Sequence, residues 1–163
     1  MKLLITLVGL CSFSVAAGAA SLDGTWCNTG TIELEAGIRS VQCGAGTVGL
    51  TFSENEKEFR AAGVELLCGS EINPVFLPFH FTVIEGDLYT TGFRVGWLKD
   101  GSAAFTLGNP DFTTTDFVLR AGGAGELFYD EVTRDIEGWT INRNRGTFRK
   151  MPIGTRTCAG TAR

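Results

Sequence analysis

The sequence predicts a mainly β fold: an antiparallel up-and-down β-barrel with one C-terminal α-helix packed outside it. Short runs of alternating apolar and polar residues recur along the chain, separated by turns rich in Gly, Asn and Asp. Aromatic residues concentrate on a few of these runs. One later segment instead places apolar residues four positions apart, as in a helix. Such strand spacing is also typical of a β-sandwich, so the choice between barrel and sandwich stays open.

The N-terminal segment has the features of a secretory signal peptide. Lys2 precedes an apolar core that is too short to span a bilayer, and small residues follow it up to Ala20. We therefore assign residues 1–20 to a signal peptide and residues 21–163 to a single β-barrel domain. That length suits one domain with a sizeable core. A secreted, extracellular protein is expected.

Alternation predicts the strands of the domain. They cover residues 32–36, 44–52, 59–68, 75–84, 89–97, 103–107 and 112–120. In the fourth run Phe79 and Phe81 share the inward face, while His80 points away from it. In the fifth run Tyr89, Phe93 and Trp97 form a second inward row.

The predicted helix follows the last of these strands and a glycine-rich loop. Phe128, Val132 and Ile136 lie four residues apart and form an apolar stripe beside acidic neighbours. Glu126 favours a helix start, because a carboxylate interacts well with the helix dipole there, and Gly138 favours its end. We expect this helix to pack on the outside of the β structure.

Charge and cysteine content limit the possible partners. Acidic side chains outnumber basic ones, 18 to 14, which argues against nucleic acid and anionic membrane surfaces. An even number of cysteines in a secreted chain favours two disulfides, and Cys27, Cys43, Cys68 and Cys158 permit three pairings. Cys-x-x-Cys spacing is absent and His80 is the only histidine, so we expect neither a metal site nor a cofactor.

Both ends of the domain resemble the lipocalin family. The opening segment Leu22–Trp26 matches that family's Gly-x-Trp motif. Phe117–Arg120, the amphipathic segment after it, a Gly-Trp step and the terminal Cys158 resemble the family's C-terminal part. The resemblance covers the two ends of the chain. It implies a barrel whose strands close into a ring around a cavity that a ligand can enter.

The resemblance also implies particular structural pairs. In lipocalins the first-strand tryptophan closes the barrel floor and an arginine at the end of the last strand packs over its ring. The corresponding residues are Trp26 and Arg120, and such a contact is worth roughly 0.5–2 kcal/mol. The implied disulfides are Cys68–Cys158 and Cys27–Cys43.

A lipocalin-like barrel implies a secreted protein that binds, transports or sequesters a small hydrophobic molecule. The acidic balance favours a neutral or cationic ligand over a fatty-acid carboxylate. The predicted cavity lining is aromatic and comprises Phe52, Phe79, Phe81, Tyr89, Phe93, Trp97 and Phe105.

Two other functions are compatible with the sequence. One is a secreted interaction protein, such as an effector, inhibitor or cell-surface module, on a filled β scaffold with no ligand cavity. The other is an isomerase or cyclase in the barrel mouth. No catalytic pair stands out, so we expect a protein that is not an enzyme. The sequence does not indicate the oligomeric state.

Overall fold

The structure is a computed structural model that describes residues 20–68, 79–155 and 157–158. The predicted signal peptide, apart from Ala20, and the start of the predicted strand 75–84 lie outside these residues. The described part contains strands and no helix. In chain order the strands are β1 Gly24–Asn28, β2 Ile32–Ala36, β3 Arg39–Cys43, β4 Val48–Glu54, β5 Glu58–Leu66, β6 His80–Ile84, β7 Asp87–Thr90, β8 Phe93–Lys99, β9 Ser102–Gly108, β10 Thr114–Ala121, β11 Glu126–Arg134 and β12 Thr140–Lys150.

Ten of the strands form a closed antiparallel barrel. Their order is β1-β12-β11-β10-β9-β8-β7-β6-β5-β4, and β1 closes the ring by pairing with both β12 and β4. The remaining strands, β2 and β3, form a separate hairpin inserted between β1 and β4. The predicted antiparallel barrel is therefore confirmed, with more strands than the alternation revealed.

The two ends of the barrel differ in construction. One end carries the β2–β3 hairpin and the turns 91–92, 109–113 and 135–139; we call it the hairpin end. The other carries the N-terminal segment 20–23 and the turns 55–57, 85–86, 100–101 and 122–125; we call it the floor end.

Trp26 lies buried at the floor end, but its cationic partner is not the predicted one. The indole Nε1 donates a 2.8 Å hydrogen bond to the carbonyl of Leu22. The Nζ of Lys150, at the end of β12, lies 5.1 Å from the ring centroid. Arg120 is exposed on the outer face of β10, because its neighbour Leu119 takes the inward position. The predicted Trp26–Arg120 pair is wrong, since β10 is not the last strand.

The predicted helix is wrong, because residues 126–134 form β11. The inward positions of this strand are Leu127, Tyr129 and Glu131. Glu131 breaks the apolar alternation, because an acid occupies a position that faces the interior. Phe128 and Val132 lie on the outer face, where their four-residue spacing imitates a helical stripe. Gly138, predicted to end the helix, lies in the turn before β12.

Aromatic rings occupy the centre of the barrel. The rings of Phe59 on β5 and Phe105 on β9 have centroids 6.4 Å apart, although three strands separate them along the wall. Phe79, just before β6, lies 4.7 Å from Phe105 and 6.1 Å from Phe117 on β10. Rings from opposite walls are therefore in contact. Burying each such ring stabilises the fold by about 1.5–3 kcal/mol.

Only part of the predicted aromatic lining lies in this interior. Four of the seven residues are buried there: Phe52, Phe79, Phe81 and Phe105. Tyr89 is half-buried, whereas Phe93 is 74% and Trp97 41% exposed. The inward positions in this region are Leu88, Gly96 and Leu98. The prediction is wrong here because 89–97 is not one strand: a turn at 91–92 and a β-bulge change the alternation.

Two disulfides are present, with a pairing that differs from the predicted one. Cys27 pairs with Cys158, and Cys43 pairs with Cys68. Cys27 faces outward from β1, since Trp26 faces inward, and the C-terminal tail passes over that outer face. Cys43 ends β3 at the hairpin end, where β5 also ends and brings Cys68 close. The predicted pairs Cys68–Cys158 and Cys27–Cys43 are therefore wrong.

Peptide mapping under non-reducing conditions checks this pairing. We expect one linked peptide pair containing Cys27 and Cys158 and another containing Cys43 and Cys68. Replacing Cys27 and Cys158 by serine should lower the free energy of unfolding by about 3–5 kcal/mol, because the bridge closes a loop of 131 residues. A peptide that links Cys68 to Cys158 contradicts the topology described above.

Gly96 gives a second test of the fold. A Cβ at this position would lie 2.5 Å from the Cβ of Phe105 and would also clash with the carbonyl of Ala104. We expect Gly96→Ala to lower the free energy of unfolding by about 1–3 kcal/mol, measured by urea denaturation. Gly108→Ala is the matched control, because a Cβ there has nothing within 4 Å. Equal effects of the two substitutions would show that Gly96 does not face the interior.

Candidate binding site at the hairpin end

One buried asparagine fixes the base of the β2–β3 hairpin. The Nδ2 of Asn28 donates hydrogen bonds to the carbonyls of Gly30, at 2.8 Å, and Gly44, at 2.9 Å. Its Oδ1 accepts hydrogen bonds from the backbone N–H groups of Thr47 and Val48, at 3.0 and 2.9 Å. All polar valences of this amide are satisfied, so the hairpin leaves the barrel in one defined direction.

The hairpin packs over part of the barrel end. Its buried residues include Ile32 and Leu34, and a Cβ on Gly146 of β12 would lie 2.7 Å from the Cδ1 of Ile32. Glycine at this position therefore makes room for the isoleucine. Two asparagines of β12 hold the hairpin: the N–H of Glu35 donates to Asn144 Oδ1 at 2.8 Å, and the N–H of Gly37 donates to Asn142 Oδ1 at 2.6 Å.

The interior becomes polar toward the hairpin end. Glu131 is 3% exposed, and its Oε2 accepts hydrogen bonds from the Tyr129 hydroxyl at 2.8 Å and from Asn144 Nδ2 at 3.3 Å. One inward position closer to the end, the hydroxyls of Thr115 and Thr133 are 3.0 Å apart. We call these five residues the polar layer. It separates the aromatic core from the hairpin end.

Burial controls the protonation of the carboxyl in the polar layer. Desolvation raises the pKa of Glu131 to about 7, although the hydrogen bonds from Tyr129 and Asn144 act in the opposite direction. Burial, and then the nearby Glu131, also raise the pKa of Tyr129 well above its usual value. Glu131 therefore gains or loses its proton near neutral pH.

A pocket of about 340 Å³ opens at the hairpin end above the threonine pair of the polar layer; we call it the mouth pocket. Of the eight described residues that line it, Asp111 alone is ionisable. Hydrogen bonds from the hydroxyl and the N–H of Thr113 lower the pKa of Asp111. The lining residues are Asn109, Pro110, Asp111, Thr113, Thr115, Thr133, Ile141 and Asn142.

The turns beside the mouth pocket expose large apolar side chains. Phe112 is 81%, Ile136 79% and Trp139 73% exposed. Their backbone is well held, since Asp135 Oδ1 accepts a 2.7 Å hydrogen bond from the N–H of Trp139. Asn109 O likewise accepts a 3.1 Å hydrogen bond from the N–H of Phe112, whose φ of 66° is unusual for a bulky residue.

These side chains belong to a larger set that we call the apolar rim. It comprises Ile38 at the hairpin tip, Phe112, Ile136, Trp139 and Ile141. The hydrogen bond between Gly37 and Asn142 brings the hairpin tip to the start of β12, next to Ile141. The turns of the floor end carry mainly charged and small residues. Exposed apolar side chains on well-held turns of one end are typical of a contact surface.

Two larger depressions lie on the outer surface of the described barrel. The first, of about 520 Å³, is bordered by Cys27, Arg149 and Lys150. Lys150 is already placed over Trp26. The second, of about 500 Å³, crosses β9 to β12. Ion pairs between Asp116 and Arg134 and between Asp130 and Arg143 occupy this face. The ion-paired groups of the second depression and Lys150 of the first already have partners, so the mouth pocket is the better candidate for a binding site.

None of the seven aromatic residues predicted to line a cavity lines the mouth pocket. Sequence reasoning missed its residues because 108–111 was assigned to a plain turn, 112–120 to a strand and 126–139 to a helix. The available signal was an aromatic residue inside each turn, Phe112 after Asp111 and Trp139 after Gly138. His80, predicted to point away from the interior, is exposed on β6 with its Nε2 3.6 Å from Glu58 Oε1.

The described residues contain no cluster of three or more His, Cys, Asp or Glu side chains placed to bind a metal ion. In the same residues no helix has the length and apolar character needed to cross a bilayer. The titratable groups described at this end include the carboxyl of Glu131 in the polar layer and that of Asp111 in the lining of the mouth pocket.

The polar layer predicts an unusual pH dependence of stability. The pKa of Glu131 is raised in the folded state, so its stabilising contribution is complete below about pH 4.5 and is lost as pH rises through about 7. Above pH 7 we expect Glu131→Gln to be more stable than the native protein by roughly 3 kcal/mol, a difference that disappears near pH 4.5. Urea denaturation between pH 4.5 and 8.5 measures it. Glu137→Gln, an exposed substitution of the same kind, should show no such trend, and parallel curves for the two variants contradict the assignment.

Comparisons with known proteins do not indicate a function, so the site itself is the basis for the proposal below. No protein-family model, curated protein or solved structure matches the chain. The resemblance to lipocalins stays a prediction that rests on the two ends of the sequence.

Proposed function

We propose that this protein is a secreted binding protein that is not an enzyme and that binds its ligand at the hairpin end of a filled barrel. One observation carries the proposal: rings from opposite walls meet in the barrel centre, whereas large apolar side chains are exposed around the mouth pocket. The two disulfides are compatible with an extracellular location.

The packing of the interior argues against the alternative of a ligand enclosed in the barrel. A guest among Phe79, Phe105 and Phe117 would have to separate rings whose centroids are 4.7–6.1 Å apart. Close-packed interiors resist such changes, and inserting extra methylenes into them typically costs about 1–3 kcal/mol. Binding at the hairpin end requires no change in this core.

The charges of the mouth pocket support a ligand without negative charge. Asp111 stays ionised at neutral pH, since its pKa is lowered, and no described lysine or arginine lines the pocket to offset it. The turn that carries Trp139 adds Asp135 and Glu137. A neutral or cationic ligand with an apolar face is therefore favoured over an anionic one.

Fluorescence titration with Nile red, a neutral apolar dye, tests where an apolar ligand binds. We expect one saturable site in the native protein and an affinity about tenfold lower in the double variant Ile136→Ser, Trp139→Ser, since a loss of about 1.4 kcal/mol corresponds to that factor. Ile84→Ser removes a comparable exposed side chain at the floor end and should leave the affinity unchanged.

Each other result counts against the proposal. Unchanged dye affinity in the double variant would show that the dye binds away from Ile136 and Trp139, which contradicts a ligand site at the hairpin end. Absence of dye binding would exclude an apolar binding site at the hairpin end. Thermal unfolding of all three proteins should show the same midpoint, because the substituted side chains lie in solvent.

A further inference from the structure

The mouth pocket combines polar groups that are already oriented. Asn109 Nδ2 donates hydrogen bonds to the hydroxyls of Thr113, at 2.7 Å, and Thr115, at 3.0 Å. Asn142 is held by the hairpin through Gly37. An amide can form four hydrogen bonds and a hydroxyl three, so groups anchored in this way keep capacity for a ligand. Their orientation is fixed in advance, which lowers the entropic cost of binding.

Apolar surface lies beside these polar groups. Pro110 and Ile141 belong to the lining of the pocket, and the exposed rings of Phe112 and Trp139 lie on the turns that flank it. A matching ligand must therefore present hydroxyl groups on one side and an apolar face on another. A sugar ring has this character, because its equatorial hydroxyls bind amides and hydroxyls while its C–H face packs on aromatic rings.

The polar layer discriminates between a sugar and a lipid. An acyl chain that entered the mouth pocket would next meet the hydroxyls of Thr115 and Thr133, and then Glu131 with its hydrogen-bonded partners. An apolar chain would displace water from these groups without offering hydrogen bonds in return, which costs free energy. The pocket volume of about 340 Å³ lies at the small end of ligand sites, which span about 300–1,000 Å³. The pocket thus fits a compact ligand without a long apolar tail.

We propose that the mouth pocket is a saccharide subsite that takes an uncharged sugar residue of a glycan, with Trp139 as the stacking ring and Asn109 and Asn142 as the hydrogen-bonding side chains. This inference rests on the proposed function and names the ligand class of the same site. Asp111 at the edge of the pocket excludes uronic acids and sialic acids through charge repulsion.

An array of neutral and anionic glycans tests the inference, followed by calorimetry with the neutral oligosaccharide that gives the strongest signal. We expect binding to neutral glycans only. Trp139→Ala should weaken it at least tenfold, whereas Trp97→Ala, which removes an exposed tryptophan on the outer face of β8, should leave it unchanged. The same oligosaccharide should displace Nile red from the hairpin end.

The saccharide inference and the proposed function can fail separately. If Nile red binds at the hairpin end but no neutral glycan binds or displaces it, the ligand class is wrong and the location stands. If the anionic glycans bind more tightly, or Trp139→Ala and Trp97→Ala behave alike, the saccharide subsite is excluded. Loss of dye binding as well as glycan binding overturns both.

Discussion

The fold depends on β1, a strand of five residues that is paired on both of its edges. It joins β12 to β4, and without it the barrel would be an open sheet with two free edges. The same strand supplies Trp26 to the floor, Cys27 to the disulfide with the C-terminal tail, and Asn28 to the base of the hairpin. Closure of the barrel, the floor and the placement of the β2–β3 hairpin are thus set by consecutive residues whose side chains alternate between the interior and the outer face.

The alternation of apolar and polar residues along the strands explains which core residues could be predicted from the sequence and which could not. Phe52, Phe81 and Phe105 could be assigned to the interior because apolar and polar residues alternate around each of them. The same rule fails at β11, where Glu131 takes an inward position. A buried acid is tolerated there because Tyr129 and Asn144 donate hydrogen bonds to it, and Asn144 comes from the neighbouring strand β12, a pairing that sequence spacing does not predict. Sequence patterns therefore predict a surface position for a polar residue whose hydrogen-bond partners are brought to it only by the fold.

Once β11 is misassigned, the errors near it follow. Treating β10 as the last strand made Arg120 the candidate cation for Trp26, whereas the end of the real last strand carries Lys150. The disulfides failed for a related reason: with β3, β11 and β12 unrecognised, neither the hairpin end nor the path of the tail over β1 could be located. At Phe93 and Trp97 the cause is local, since a turn and a bulge occur inside a run that looks continuous. The aromatic composition of the core was predictable. Which residues of an interrupted strand face the interior and which face the solvent was not.

The core and the candidate site are connected through the polar layer. Among the described residues, rings from opposite walls meet across the barrel, which favours recognition of a ligand at an end, where turns are exposed and tolerate variation. Turns are usually too mobile to expose large apolar groups in a fixed geometry, but here the barrel strands and the carboxylate of Asp135 hold them. The polar layer forms a hydrogen-bonded base beneath the mouth pocket and separates the hairpin end from the apolar core. Because Asn144 binds both Glu131 and the backbone of the hairpin, the protonation of one buried carboxyl is connected to the element that borders the pocket. The candidate site can thus lie at one end of the barrel without weakening the ring packing that holds the described strands together.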